Sequence, residues 1–223
     1  MPAELFGPAS VYLAAVLEKD QPAAETEVRK LVKDGSSLAD IYAVLGAAQV
    51  EVGALWEKGV ITVSDEHFAT QTTVGCIKMA AELLKKFRRK TSGFAALLTV
   101  RGEFHDIGLR MMEELLKSEG YDAEIVPSER FPSELMETAK RRKVDVVCFA
   151  ATMPSSVPRV IEAVRFVKST PGLTLAKVVV GGPAFTADQA KLALIGPDGK
   201  NPPDLIAQDL SEAVNFIISS NPN

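Results

Sequence analysis

Residues 94–116 read FAALLTVRGEFHDIGLRMMEELL, and this stretch decides the fold class of the chain. Its first seven residues form a short apolar run typical of a buried strand, and from residue 107 apolar residues recur at helical intervals. His105 lies two residues before the predicted helix, and Gly108 lies in its first turn, where a missing side chain lets another group approach the backbone. Taken alone, the turn is equally compatible with a helix-capping histidine and a glycine required by packing.

The alternation of strands and helices continues to the C-terminus. Further strands are predicted at 122–127, 144–150, 177–182 and 203–207, and helices at about 107–119, 132–142, 156–168, 186–194 and 209–219. Parallel strands need crossover helices, so this order predicts an α/β fold, a flavodoxin-like doubly wound five-stranded parallel sheet. Ligands of such sheets gather at the carboxyl ends of the strands. Three predicted turns lie at that edge: 101–108, 150–156 and 181–186.

The N-terminal part of the chain has helical periodicity throughout. Four amphipathic segments are predicted at 9–20, 22–34, 38–58 and 66–90, separated by turns that include the sequence DGSS at 34–37. They predict an N-terminal four-helix bundle over residues 1–90. Residues 91–223 then form the second domain, with 91–93 as a short linker.

Composition and charge exclude several classes of function. The formal net charge is −4 without a basic arm, so direct nucleic-acid binding is not expected. The short basic runs at 85–90 and 140–143 are more typical of solvated helix ends. No apolar run approaches the roughly 20 residues that span a bilayer, and no signal peptide is recognisable, so we expect a cytoplasmic protein without a membrane partner.

Few residues in the chain offer enzyme or free-metal chemistry. Cys76 and Cys148 lie in apolar stretches without a second thiol at metal-ligand spacing, which predicts buried free thiols. There is no Ser/His/Asp arrangement and no phosphate-binding loop, so the chain is not expected to be an enzyme.

The three turns together resemble the cobalamin-binding domains of corrinoid proteins, methionine synthase, mutases and light-sensing regulators. That family has an Asp-x-His-x-x-Gly turn, a Ser-x-Leu or Ser-x-Thr turn about forty residues later, and then a Gly-Gly turn. Here EFHDIG ends at Gly108, 41 residues separate it from Ala150 of AATM, and 28 residues separate Thr152 from Gly181. The order and the spacing agree across residues 94–219.

The resemblance implies cobalamin as the cofactor and His105 as the metal ligand, binding cobalt from below. It places the displaced nucleotide tail of the cofactor beside the sheet, in a channel lined by Gly108, Thr152, Gly181 and Gly182. Asp106 and Ile107 complete the turn as cofactor-binding residues. A carboxylate on the second ring nitrogen would orient the imidazole, and Glu103 stands where most members have Asp. Ala150 replaces the usual Ser, which puts one hydrogen bond to the tail in doubt.

Trp56, Glu66 and His67 are the predicted binding residues of the helical domain. Their spacing resembles the cap of the light-sensing MerR-type regulators of the CarH and LitR group, in which the Trp covers the upper corrin face and the Glu-His pair lies near an adenosyl group. Glu57 stands where some of those photoreceptors have a histidine. The alternative is a core Trp beside a helix capped at Ser64 or Asp65.

Two functions compete at this point. The first is a cobalamin-binding light sensor that holds adenosylcobalamin between the helical cap and the sheet domain, with light changing the packing of the cap. A homo-oligomer or a separate regulator or effector protein would then be its partner. The alternative is a corrinoid carrier subunit of a methyltransferase system, for which methylcobalamin would be the cofactor. A third reading, another tetrapyrrole or none, is left open by Glu103 and Ala150.

Overall fold

The structure is a computed structural model that describes residues 5–85, 93–185, 191, 193–194 and 202–220. The chain divides into two compact units, residues 1–87 and 88–223. The predicted domain boundary after residue 90 falls among residues 86–92, outside the described residues.

Four α-helices form the N-terminal unit, as predicted: α1 (Pro8–Leu17), α2 (Gln21–Lys33), α3 (Leu38–Glu57) and α4 (Val63–Leu83). Two buried tyrosines connect the helices through their hydroxyl groups. The Tyr12 hydroxyl lies 3.0 Å from Thr73 Oγ1, and the Tyr42 hydroxyl donates to the Ile77 carbonyl at 3.0 Å. These bonds satisfy polar groups that would otherwise be costly inside an apolar core.

Helix α4 begins three residues earlier than predicted, at Val63 instead of Glu66. The cap is Thr62, not Ser64 or Asp65, because Thr62 forms a capping box with Asp65. Thr62 N–H donates to Asp65 Oδ2 at 2.8 Å, and Asp65 N–H donates to Thr62 Oγ1 at 3.2 Å. An ion pair with Lys19 and the bonds from Thr62 hold the pKa of the Asp65 carboxyl well below its usual range. The Glu66–His67 pair therefore lies where the first turn of an anchored helix passes into the second.

Helix α3 is the one described helix that is long and apolar enough to cross a membrane by length and composition, and a third of its most apolar window is buried. Its buried residues are Leu38, Ile41, Tyr42, Leu45, Ala48 and Val52. They recur at three- and four-residue intervals, as in the core-facing stripe of a bundle helix. Packing in the helical unit therefore accounts for the apolar residues of this stripe.

The second unit is a five-stranded, entirely parallel sheet with helices between its strands. The strands are β1 (Phe94–Leu98), β2 (Asp122–Ile125), β3 (Val146–Ala150), β4 (Lys177–Gly181) and β5 (Leu205–Ile206), in the spatial order β2-β1-β3-β4-β5. The helices are α5 (Ile107–Ser118), α6 (Ser133–Arg141), α7 (Val157–Ser169) and α8 (Leu210–Ser219). This order confirms the predicted flavodoxin-like fold.

The strands are shorter than the apolar runs that predicted them. β1 ends at Leu98 instead of Val100 because the Val100 carbonyl accepts the Glu103 N–H at 2.8 Å, closing a turn. β5 has only two residues, Leu205 and Ile206, which pair with β4 at the edge of the sheet. The helix predicted at 186–194 lies almost entirely outside the described residues.

Asp204 joins the short strand β5 to its neighbours. Its carboxylate accepts from Val178 N–H at 2.7 Å, contacts Lys168, and lies 3.3 Å from Lys177 Nζ. Burial raises the pKa of Asp204, but the bonds from Lys168 and Val178 outweigh it, so this pKa lies below its usual value. The ionised form is therefore the one that stabilises the fold.

We expect Asp204→Ala to lower the free energy of unfolding by about 2 kcal/mol at pH 7, because charge-assisted hydrogen bonds are lost. Since the folded-state pKa is lowered, this contribution is complete above the ordinary Asp pKa and is lost as pH falls through the folded-state value. Urea unfolding between pH 7 and pH 3 measures both effects, with Asp204→Asn as the size-matched variant. If the free energy of unfolding of the Asn variant fell as steeply with pH as that of the wild type, the stabilising role of the ionised Asp204 would be contradicted.

Candidate functional site

The candidate site of the sheet unit lies at the carboxyl ends of β1 and β3. The turn after β1 contributes Glu103 and His105, and the turn after β3 contributes Thr152, Met153 and Ser156. In the sheet, β1 has β2 on one side and β3 on the other. The carboxyl ends of β1 and β3 therefore flank the crevice at which the winding direction of the fold reverses.

Glu103 and His105 form a carboxylate–imidazole pair. The Glu103 side chain is fully buried, and its Oε1 contacts His105 Nδ1 and accepts the His105 backbone N–H at 3.2 Å. An ionised carboxylate only accepts hydrogen bonds, so in the neutral ring the proton lies on Nδ1 and the lone pair lies on Nε2. The imidazole is 48% exposed, which leaves that nitrogen accessible to a ligand.

The other oxygen of Glu103 binds the turn after β3. Oε2 accepts Thr152 N–H at 3.1 Å, Met153 N–H at 3.0 Å and the Ser156 hydroxyl at 3.0 Å. Burial raises the pKa of the Glu103 carboxyl, but the bonds from Met153, His105 and Ser156 outweigh it and hold this pKa below its usual value. Glu103 is therefore an ionised residue that fixes the imidazole of His105 relative to both turns.

Ser156 and the backbone of Met153 are parts of the site that sequence reasoning missed. Ser156 lies 53 residues from Glu103 and Met153 lies 50 residues from it, and no periodicity connects positions so far apart. The only local signal was the small, hydroxylated composition of the turn at 150–156.

The remaining residues of the EFHDIG turn have different environments. Asp106 precedes α5 but does not cap it, because its carboxylate accepts two bonds from Arg110, at 2.9 and 2.6 Å. Ile107 begins the helix. A Cβ added to Gly108 would meet nothing within 4 Å, so the space beside this residue is open. The approach of a ligand to Gly108 stays a prediction.

In the Gly181–Gly182 turn, contacts within the protein explain why residue 182 is a glycine. Gly182 has φ +105°, and a Cβ there would lie 2.4 Å from the Ala151 carbonyl oxygen. At Gly181 the nearest contact of a Cβ would be an ordinary 3.7 Å to Ala207 Cβ. Ala150, the last residue of β3, pairs with Gly181 and leads into Thr152. The close approach inferred from the double glycine is thus made at Gly182 by the chain's own backbone.

The predicted residues of the helical unit are also ordered. Trp56 is 43% exposed near the end of α3. His67 Nδ1 lies 2.9 Å from both the Val63 carbonyl and Glu66 Oε2, and Thr70 donates to Glu66 Oε1 at 2.8 Å. Both partners of Nδ1 are acceptors, so the proton lies there and Nε2 is free, the same donor arrangement as at His105.

The described side chains fit a corrinoid better than a free metal ion. Residues 5–85, 93–185 and the described positions beyond hold no group of three His, Cys, Asp or Glu suited to a metal ion. A corrin ring supplies nitrogen ligands to its cobalt itself, so a single oriented imidazole from the protein would suffice. His105, with Nδ1 on a carboxylate and Nε2 free, fits this role.

The basic run at 140–143 is neutralised by acidic side chains. Lys140 pairs with Glu137 at 2.7 Å, Arg142 with Asp122 at 2.7 Å and Lys143 with Asp145 at 2.5 Å. The Arg142 guanidinium also lies 3.7 Å from the centre of the Phe94 ring. These pairs agree with the interpretation of the run as a solvated helix end. Of the run at 85–90, only Lys85 is described.

Comparison with known proteins identifies relatives of the whole chain. Dimethylamine corrinoid protein 2 of Methanosarcina acetivorans is 27% identical over 198 residues, covering 88% of this chain and 87% of that protein. The dimethylamine corrinoid protein of Methanosarcina barkeri is 24% identical over 201 residues, covering 90% and 85%. The structure of the Methanosarcina barkeri monomethylamine corrinoid protein has the same fold, with a TM-score of 0.74 at 18% identity over 94% of this chain and 96% of that one.

The family matches agree with this result. The B12 binding domain family matches residues 94–200, and a second family of the same description matches residues 10–81. The relatives named above are corrinoid proteins and not light-sensing regulators, so they support cobalamin binding without supporting the resemblance to photoreceptors. The chain therefore contains a B12 binding domain at residues 94–200, and its helical unit matches a second family of the same description at residues 10–81.

Proposed function

We propose that this protein is a corrinoid carrier of a methyltransferase system, which holds a corrinoid and presents it to separate partner enzymes. The observation that carries the proposal is the Glu103–His105 pair, whose accessible Nε2 suits an axial cobalt ligand. Similarity to dimethylamine corrinoid proteins over most of the chain supports the carrier role rather than the light sensor. A methyl-carrying corrinoid is accordingly the preferred cofactor, and methyltransferases are the preferred partners.

Several of the predicted residues have a defined part in this proposal. His105 binds cobalt through Nε2, while Glu103 keeps the proton on Nδ1 and is itself held by Thr152, Met153 and Ser156. The open space beside Gly108 receives the nucleotide tail. When bound, the corrinoid supplies a cobalt centre that accepts and releases a methyl group. The chain's own residues bind and orient it, and the catalysis of methyl transfer belongs to the partners.

Trp56 and the Glu66–His67 pair are assigned to binding the upper side of the cofactor. Trp56 offers an exposed aromatic surface, and the bonds of Glu66 to Thr70 and His67 give the pair a fixed orientation. The Glu66–His67 pair also favours a second candidate function, the light sensor. The resemblance to the helical caps of light-sensing regulators rests on this pair together with Trp56. Cytoplasmic location and the absence of nucleic-acid and membrane partners stay predictions from composition.

The experiment that tests the proposal compares the binding of methylcobalamin and adenosylcobalamin to the purified protein in darkness, by absorption spectroscopy. A carrier is expected to bind methylcobalamin at least as tightly as adenosylcobalamin and to keep its oligomeric state after green light. The sensor would prefer adenosylcobalamin and change its oligomeric state on illumination. His105→Ala is the control for cobalt ligation and should alter the spectrum of the bound corrinoid. If neither cofactor binds the wild type, both functions fail.

A further inference from the structure

Phe104 is an exposed aromatic residue in the middle of the candidate site. It lies between Glu103 and His105, and 82% of its surface is exposed. Three other phenylalanines of the sheet unit, Phe94, Phe149 and Phe185, are buried in its core. An isolated apolar side chain on a surface is common, but a large ring beside an oriented metal-ligand histidine is better placed to contact what the histidine binds.

Met153 is the second exposed apolar side chain at this edge, with 43% of its surface exposed. The Glu103 carboxylate joins its turn to that of Phe104, since Oε2 accepts Met153 N–H at 3.0 Å and Oε1 accepts the N–H of His105 at 3.2 Å. The buried Glu103 side chain therefore holds the backbone of Met153 itself and that of His105, the residue that follows Phe104. The other strongly exposed large apolar residue described in this unit, Leu175, precedes β4 and so lies towards the opposite edge of the sheet.

We propose that Phe104 and Met153 form an apolar contact surface for the lower face of the corrin ring around His105. This inference rests on the proposed function and adds two binding residues to it. A corrinoid held by His105 would lie beside the residues next to that histidine. Phe104 and Met153 would then lose exposed apolar surface to the methyl-rich corrin, which is favourable because apolar area leaves water. The flexible thioether of Met153 can adapt to such an irregular surface.

The test measures the affinity of Phe104→Ala and Met153→Ala for two probes, aquocobalamin and the tail-free corrinoid aquocobinamide. We expect Phe104→Ala to weaken both by about tenfold and Met153→Ala to weaken both by a smaller factor, because the lost contact is with the ring and not with the tail. Phe104→Leu should retain most of the affinity. Leu175→Ala, a matched loss of exposed apolar surface at the other edge, should bind like the wild type. Urea unfolding of the apo-proteins should be unchanged in all four variants.

Wild-type affinity of Phe104→Ala for both probes would overturn the inference while leaving the proposed function intact. Weakened binding of aquocobalamin alone would also overturn it, because the side chain would then act on the nucleotide tail. An equal loss in Leu175→Ala would show that the effect is not specific to this edge. Failure of the wild type to bind either probe would instead reject the proposed function itself.

Discussion

Gly182→Ala is expected to lower the free energy of unfolding by about 4 kcal/mol. The added Cβ would lie 2.4 Å from the Ala151 carbonyl oxygen, and φ of +105° is unfavourable for any residue with a side chain. Ala151 has little room to move. Its N–H donates to the Gly181 carbonyl at 3.1 Å, and its carbonyl accepts the Ala184 N–H at 3.1 Å.

Gly108→Ala is the matched control for this prediction. A Cβ at Gly108 meets nothing within 4 Å, and alanine in a helix is favoured over glycine, so apo-protein stability should stay equal or rise by roughly 0.5 kcal/mol. Urea unfolding of both variants measures the difference. A loss below about 1 kcal/mol for Gly182→Ala would refute the close approach to Ala151. If Gly108 lines the tail channel, its alanine variant should fold normally yet bind cobalamin less tightly than the wild type.

Glu103→Gln is expected to weaken corrinoid binding by roughly 10- to 100-fold, the range found when a residue that orients a metal ligand is lost. If the amide turns its NH₂ group towards His105, the ring must accept at Nδ1 and carry its proton on Nε2, which blocks the cobalt-binding nitrogen. If it turns the other way, the NH₂ group faces the N–H groups of Thr152 and Met153, and donors are left without acceptors.

Glu103→Asp provides the charge-conserving comparison, since it keeps an acceptor-only carboxylate one methylene shorter. It should retain the proton on Nδ1 and bind corrinoid more tightly than the Gln variant. Absorption spectra report whether imidazole binds cobalt, and ¹⁵N NMR of His105 reports the ring tautomer without cofactor. An unchanged tautomer and wild-type affinity in Glu103→Gln would contradict the role assigned to this carboxylate.

Local sequence patterns were sufficient for the architecture. The apolar run at 94–100 and the helical periodicity after residue 107 predicted a strand and a helix because each depends on the residues of one short segment. A chain that repeats this strand–helix unit forms a sheet of parallel strands joined by crossover helices. The observed strand order β2-β1-β3-β4-β5 is that of the predicted flavodoxin-like fold. The position of His105 before α5 was predicted in the same way. The photoreceptor interpretation relied on three cap residues, and relatives over most of the chain support the carrier instead.

Details that depend on partners distant in the sequence required the tertiary structure. The start of α4 was placed too late because a capping box between Thr62 and Asp65, further anchored by Lys19, outweighs the apolar pattern.

The sequence alone determined the fold class, the helical cap and the presence of a histidine at the ligand-binding edge of the sheet. Only the tertiary structure decided what fixes that histidine, because Glu103 binds donors 49 to 53 residues away that no periodicity relates to it. It also decided that Gly182 is required by the Ala151 backbone. Such constraints exist only once β1, β3 and β4 lie side by side.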